Sequence, residues 1–301
     1  MRVSVLTPTY NRSDKLIRLY NSLEKSTYRD FEWIIVNDGS TDDTDQIIKE
    51  IVAMASFPIT YIYQENSGKH IAMNRLYDLA KGEYCFQIDD DDELLPDAME
   101  KGLSIWDGMS DEQRSNCWCV CGRHINHKTL EMIGKPFPDN VNEVNPRTRS
   151  KILSTIQGDR CGMQKVAFVR QYKFPEVEGC SFFPEIYLWR QLNLVYDQHY
   201  TNALFGLCHV HDGESLMNYS KSKESYRNRK NIYGYLLSSN CQCKSRFFSQ
   251  RHLIEILNYN WFCYKSGTKA KEKYKNISLN NCILLFISFF PSIVISKVIK
   301  R

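Results

Sequence analysis

The apolar positions change their spacing repeatedly over about the first hundred residues. Arg2 to Leu6 alternates and is rich in β-branched residues, which predicts a strand. Behind Ser13, a suitable helix cap, Leu16, Ile17, Leu19, Tyr20 and Leu23 recur at helical spacing. Phe31 to Val36 is a near-continuous apolar run, as in a strand buried on both faces. A second helix buries Ile47, Ile48, Ile51 and Val52. Ile59 to Tyr63 is a strand, Ile71 to Ala80 a helix, and Tyr84 to Ile88 a strand bounded by Gly82 and an acidic turn. Strands alternating with helices in this way predict an α/β fold, with a mostly parallel, Rossmann-like sheet and right-handed crossovers.

Past this point the pattern is less regular. Pro96 to Trp106 reads as a helix, with Met99, Leu103 and Trp106 on its buried side. Asp107 to Asn116 reads as a loop and Cys117 to Arg123 as a strand. Residues 124–150 read as irregular, and Ile152 to Ile156 as a short apolar segment. Val195 to Tyr200 and Ala203 to Val210 read as two final strands. The expected division is a domain over 1–215 and a basic helical extension over 216–301.

Composition changes this picture little. The 301 residues are 43% hydrophobic and 25% charged, ordinary for a globular protein. A net charge of +4 gives no case for a nucleic-acid partner. No charged and apolar leader precedes the first strand, so the 11 cysteines are expected as reduced thiols in a cytoplasmic protein. Cys117, Cys119 and Cys121 alternate, as do Cys241 and Cys243. That is not the spacing of a zinc knuckle, and they read as core residues.

The chemistry gathers at strand ends. Four consecutive aspartates, Asp89 to Asp92, follow the strand Tyr84 to Ile88. In open α/β sheets ligands bind at such carboxyl ends. The adjacent carboxylates repel one another unless a cation is present, and a hard divalent ion completed by substrate phosphates satisfies them. Asn37-Asp38-Gly39 and Tyr10-Asn11-Arg12 end two other strands on the same edge. Asp38 either accepts hydrogen bonds from a base or ribose or organises its own turn. Tyr10 either packs on a base or joins the core. A phosphate loop and the dinucleotide-binding glycine fingerprint are both absent.

Thr7-Pro8-Thr9-Tyr10-Asn11-Arg12, Val36 to Asp42, Glu65 to His70 with Ala72 and Asn74, and Ile88 to Asp92 together resemble the successive motifs of family 2 glycosyltransferases. The resemblance covers residues 1 to about 100. It implies a GT-A fold and inverting transfer from a nucleotide-sugar donor, a UDP-sugar. It also implies donor contacts from Pro8, Tyr10, Arg12, Asp38, Lys69, Asn74, Asp89 and Asp90. Asp91 and Asp89 would meet a divalent metal, manganese or magnesium. Two positions depart from the family pattern: Asn37 stands where an aspartate is common, and Asp90 where a small residue is usual.

Inverting transfer needs one base to take the proton of the attacking hydroxyl. Glu185, ahead of an apolar helix that starts at Ile186, is the expected base, with Glu176 and Glu178 as alternatives. In the family resemblance it takes the second place of an acidic pair, and Pro184 the first. Asp159 is expected to order a turn or touch the donor sugar, and Arg190 to brace the site. His209 and His211 are candidate third metal ligands, although a lone histidine is commonly structural. Asp212 to Ser215 reads as a turn closing over the site.

Lys221, Lys223, Arg227, Arg229, Lys230, Lys244, Arg246 and Arg251 outnumber acids in the tail, and the segment over about 276–296 is uncharged. Its strongly apolar part is short for a span, and lysines flank it on both sides. The first expectation is an interfacial or re-entrant anchor on the cytoplasmic face of the inner membrane. A transmembrane helix comes second and a buried hairpin or oligomer contact third. The expected acceptor is a glycan or lipid-linked hydroxyl in cell-surface polysaccharide synthesis. A nucleotidyltransferase, or a non-catalytic nucleotide-binding module at a membrane, are the other classes that share these features.

Overall fold

The computed structural model describes residues 1–156, 158–177 and 180–209, and beyond these only 234, 236–237, 256–261, 263–264, 269–273, 282–283 and 285. The chain forms two compact units. One is Met1–Lys173 with Val195–Asp212; the other is Phe174–Leu194 with Gly213–Arg301. The expected division at 215 differs from this, because the segment from Phe174 to Leu194 groups with the C-terminal residues.

The first unit is built on one sheet whose strands lie in the order Ile59–Tyr63, Phe31–Asn37, Val3–Thr9, Tyr84–Gln87, Gly162–Lys165, Cys117–Asn126, Asp197–Cys208 and Glu93–Leu94. β1 (Val3–Thr9), β2 (Phe31–Asn37), β3 (Ile59–Tyr63) and β4 (Tyr84–Gln87) are parallel. The helices α1 (Ser13–Glu24), α2 (Thr44–Met54) and α3 (Lys69–Leu79) connect them in turn. Every residue of β1 and β2 is buried, which explains their weak alternation. Pairing of β1 with β4 stops at Leu6, before Pro8, which has no N–H to offer. β1 therefore runs on beyond β4, and the carboxyl ends of β1, β2 and β4 lie on one edge of the sheet.

The other half of the sheet is mixed. The two-residue β5 (Glu93–Leu94) leads into α4 (Ala98–Asp107) and α5 (Asp111–Asn116). Then come β6 (Cys117–Asn126), α6 (Pro146–Thr155), β7 (Gly162–Lys165) and the short α7 (Val166–Val169). β7 runs antiparallel to both β4 and β6, β8 (Asp197–Cys208) parallel to β6, and β5 antiparallel to β8. Cys117, Cys119 and Cys121 are buried on β6, as expected of core residues.

Several expectations need correcting. The Asp107 to Asn116 loop contains α5, held by a capping box in which Ser110 Oγ accepts from Gln113 N–H. No residue of α5 is buried, so it carries no apolar period. Part of the irregular 124–150 region belongs to α6, whose start is capped by Asn145 with Pro146 in the first turn. The helix expected from Pro96 begins at Ala98. The two final strands are one: polar Thr201 and Asn202 lie inside β8, where the register with β6 shifts.

A buried polar junction ties β1, β2 and the entry to β4. Glu32 Oε1 accepts from Ser4 Oγ at 2.8 Å and from Lys81 N at 2.8 Å, and Ser4 Oγ accepts from Gly82 N at 2.9 Å. Trp33 Nε1 donates to Thr7 Oγ1 at 2.9 Å inside the same core.

In the second unit, α8 (Ile186–Asn193) buries Leu188 and Leu192. Leu236, Ile256, Tyr259, Cys263 and Leu285 form an apolar cluster. Asn260 Nδ2 donates to the Leu285 carbonyl at 2.7 Å, and Tyr259 Oη to the Lys273 carbonyl at 2.7 Å, at the end of α9 (Ala270–Lys273). Leu285 sits in the middle of the apolar stretch expected as an anchor. Among the described residues no helix is long and apolar enough to cross a membrane. The basic residues from Lys221 to Arg251, and most of 276–296, lie outside the described residues.

Glu32→Ala strands the buried Ser4 hydroxyl and the Lys81 N–H. It is expected to cost about 3 kcal/mol of stability, read from urea unfolding. Loss under about 0.5 kcal/mol, the range of a neutral surface change, contradicts the junction's role.

Candidate active site

The turns after β1 and β2 are built for each other. Asp38 N donates to the Thr9 carbonyl at 2.9 Å, Asn11 N to Ser40 Oγ at 2.9 Å, and Thr41 N to Asn11 Oδ1 at 2.8 Å. Asn11 takes a left-handed φ of 51°, which asparagine tolerates. Gly39 has φ 79°, and a Cβ there would lie 2.6 Å from the Asn66 backbone nitrogen. Only glycine fits that approach.

Asp38 is buried and heavily engaged. Its Oδ1 accepts from Gln64 Nε2 at 2.6 Å and Ser67 N at 2.9 Å, and its Oδ2 from Gly68 N at 2.8 Å. It thereby fixes the turn that leads into α3. Asn37 uses both ends of its amide: Oδ1 accepts from Ser40 N at 2.9 Å, and Nδ2 donates to Tyr61 Oη at 3.1 Å. Tyr61 in turn donates to Asp45 at 2.5 Å. An aspartate at 37 has no N–H to give Tyr61, which is a physical reason for the asparagine here.

The acidic run brings its own cations. Lys69 Nζ meets both oxygens of Asp89, at 2.7 and 2.9 Å. Arg12 Nη1 lies 3.6 Å from Asp91 Oδ2. Arg18, on α1, donates to the Asp91 carbonyl at 2.9 Å and lies 3.9 Å from Glu93 Oε1. Asp89 and Asp91 are part-exposed, and Asp90 is buried. Burial pushes the Asp90 carboxyl up to about 7; the Thr9 hydroxyl opposes this, and Asp91 and Asp89 add to it. Burial likewise pushes Asp92 up to about 6, opposed by the charge of His124.

His209 closes the other side of the run. Its backbone N–H donates to Asp92 Oδ1 at 3.2 Å, and its Nε2 lies 2.6 Å from Glu93 Oε1. Its ring stacks on His127 with centroids 4.1 Å apart. Burial lowers its pKa, partly offset by Glu93.

The expected residues thus fall into three groups. Arg12, Lys69, Asp89 and Asp91 are brought together as ion pairs, with Asp90 beneath them. Pro8, Asp38 and Asn74 are buried in the scaffold, while Tyr10, at the end of β1, is 46% exposed and is not a core residue. Glu185 takes the N-cap position of α8 and, like Glu176 and Arg190, belongs to the second unit. Glu178, His211 and the turn from Asp212 to Ser215 lie outside the described residues. Asp159 meets His124, with Oδ2 3.1 Å from Nδ1. Arg18, Glu93 and His127 escaped notice in the sequence. Arg18 had one usable signal, since it follows Arg12 by about two turns on the helix that leaves the β1 loop.

The oxygens of Asp89 and Asp91 are hard donors at a part-exposed strand end. That set suits magnesium or manganese, with further oxygens supplied by a diphosphate. Lys69 and Arg12 now hold the positions of positive charge that such an ion would share.

A mixed sheet with its parallel strand ends lined by these acids is that of a GT-A glycosyltransferase. TarS of S. aureus, residues 1–349 in complex with UDP-GlcNAc, has the same fold, with a TM-score of 0.62, 15% identity, and coverage of 97% of this chain and 81% of that one. The mannosyltransferase PcManGT of Pyrobaculum calidifontis, in complex with GDP-Man and Mn2+, gives a TM-score of 0.53 at 15% identity, covering 97% of this chain and 80% of that one. Residues 4–168 match Glycosyl transferase family 2, and the chain belongs to that family. Chondroitin synthase of Escherichia coli is 41% identical over 141 residues, 46% of this chain and 19% of that protein. WcaA of E. coli strain K12, named for colanic acid biosynthesis, is 39% identical over 103 residues, 34% of this chain and 37% of its own. The chain thus spans well under half the length of either relative.

The raised Asp90 carboxyl predicts an unusual pH dependence. The unfolded chain releases this proton near pH 4, as a free aspartate does, and the folded chain keeps it to about pH 7. Between those values the folded state binds more protons, so stability falls as pH rises and levels off above 7. Asp90→Asn is expected to flatten the slope and to gain up to about 4 kcal/mol at pH 8, read from urea midpoints in chelator. An unchanged slope contradicts the assignment.

Proposed function

We propose that this protein is an inverting, metal-dependent glycosyltransferase that moves a sugar from a UDP-sugar to a hydroxyl of a growing glycan or lipid-linked acceptor. One observation carries the reading. In a chain of this family, Asp89 and Asp91 stand part-exposed beside Lys69 and Arg12 at the carboxyl end of a parallel strand.

Tyr10 offers an exposed ring for the base, and Asp38 keeps one of its roughly four acceptor positions unused among the described hydrogen bonds. Asn74 and Pro8 shape the floor beneath. Lys69 and Arg12 release Asp89 and Asp91 as the donor enters and turn toward its phosphates. Asp89 and Asp91 would hold the divalent ion, whose chemistry is to neutralise the leaving diphosphate as a Lewis acid. The acceptor oxygen attacks the anomeric carbon from the face opposite the diphosphate, and Glu185 takes its proton. The C–O bond to the diphosphate breaks, and its electrons leave with the nucleotide.

Polysaccharide assembly is supported by the names of the relatives: chondroitin synthase, and a protein of colanic acid synthesis. A place on the cytoplasmic face of a membrane is supported by the basic, then apolar, composition of the tail.

Incubation with a panel of nucleotide-sugars and Mn2+ is expected to release nucleoside diphosphate. Release of pyrophosphate instead identifies a nucleotidyltransferase. Glu185→Gln is expected to lower turnover by about 100-fold or more with donor affinity unchanged; full turnover removes Glu185 from the base role. Asp91→Asn is expected to abolish divalent-dependent nucleotide binding, and retained binding removes Asp91 as the metal ligand.

A further inference from the structure

A second group of ligating atoms sits behind the acidic run. The carboxylates of Asp92 and Asp159 and the thiol of Cys208 present ligand atoms within 4.8 Å of one another. Among the described residues this is the one such group of three. It does not include Asp89 or Asp91. Asp92 comes from the turn before β5, Cys208 ends β8, and Asp159 follows a glycine of φ 123°. Three distant parts of the chain are thereby drawn to one point.

His124 gives an independent reason to read this as a ligand site. It lies on β6 and is more than nine-tenths buried. Neither ring nitrogen makes a well-formed hydrogen bond among the described residues. Its Nδ1 nevertheless points at the cluster, 3.1 Å from Asp159 Oδ2. The fold makes room for the ring in this position, since a Cβ on Gly206 would lie 2.2 Å from its Cδ2. A buried imidazole held against a carboxylate is a common outer partner of a metal ligand, because it orients the carboxylate.

We propose that Asp92, Asp159 and Cys208 form a second metal site, for zinc or a similar borderline-soft divalent ion, with His124 as the residue that orients Asp159. One thiolate and two carboxylates leave a fourth tetrahedral position for water. The thiolate separates this site from a magnesium-type site of oxygens alone. Its ion ties the turn that ends the acidic run to β8 and to the loop before β7. It is a structural clamp on the strand end, and the ion replaces the thiol proton on binding. The proposal needs only the first unit and stands apart from the donor reading.

Cobalt(II) tests it, because thiolate ligation adds a charge-transfer absorption that oxygen ligands do not. The full chain, reduced and freed of metal, is titrated with cobalt(II). The expected result is this absorption saturating at about one equivalent and reversed by zinc, as a single site requires. Cys208→Ser is expected to remove it. Asp159→Asn and His124→Gln are expected to weaken affinity by about tenfold or more, while Asp91→Asn leaves it intact. No charge-transfer absorption in the wild type, or the same absorption in Cys208→Ser, overturns the site. If Cys208→Ser does not fold, Asp159→Asn decides, since Asp159 is exposed and its thiol partner remains; wild-type affinity there also overturns it. Loss of the absorption in Asp91→Asn would fold this site into the donor site and equally reject it.

Discussion

Repulsion among Asp89, Asp90, Asp91 and Asp92 is the constraint on which the rest of the site depends. Adjacent carboxylates at a strand end cannot all stay charged without compensation. The protein meets this in two ways. Lys69 and Arg12 reach Asp89 and Asp91 from the starts of α3 and α1. Asp90 and Asp92 are drawn toward the interior, where burial favours their neutral forms. The run of four becomes two carboxylates with cations beside them and two whose carboxyls are held above the ordinary aspartate range.

The cations arrive where they do because the scaffold fixes them. Arg12 stands at the head of α1, and its backbone N–H is held by Thr44 Oγ1 at 3.1 Å. Lys69 follows Gly68, whose N–H is gripped by Asp38. Asp38 thus acts on Asp89 at one remove: it shapes the turn that presents Lys69. The Gly39 backbone closes against Asn66 so that both turns pack at a single edge. Nothing in this chain of support is apolar, yet it rests on β1 and β2, whose residues are buried throughout. The sheet provides rigidity, and the turns provide charge.

Much of this was readable from the sequence because the first four strands are parallel and buried. Their apolar runs, separated by amphipathic helices, have few other solutions. The strand-end acids were legible for the same reason. The later half was harder. β7 is four residues long and β5 two, too short for any period. α5 starts on a capping box and buries no residue, so it carries no apolar period. Thr201 and Asn202 looked like a break but are a shift of register within β8. The partners of the acids were only half visible. Lys69 and Arg12 lay within recognisable motifs, whereas Glu93, His124 and Arg18 are brought in by pairings that no local pattern announces. Glu185 was readable as a helix-start acid, and its helix is there, but its segment groups with the second compact unit.

On the proposed function, Lys69 and Arg12 hold the charge positions that a divalent ion and a nucleotide diphosphate take over together. Calorimetric titration of UDP in Mn2+ and in chelator, with the converse titration of Mn2+ with and without UDP, measures that coupling directly. By reciprocity each ligand must strengthen the other by the same factor, and a factor of about ten or more is expected. Equal UDP affinity in Mn2+ and in chelator would contradict it.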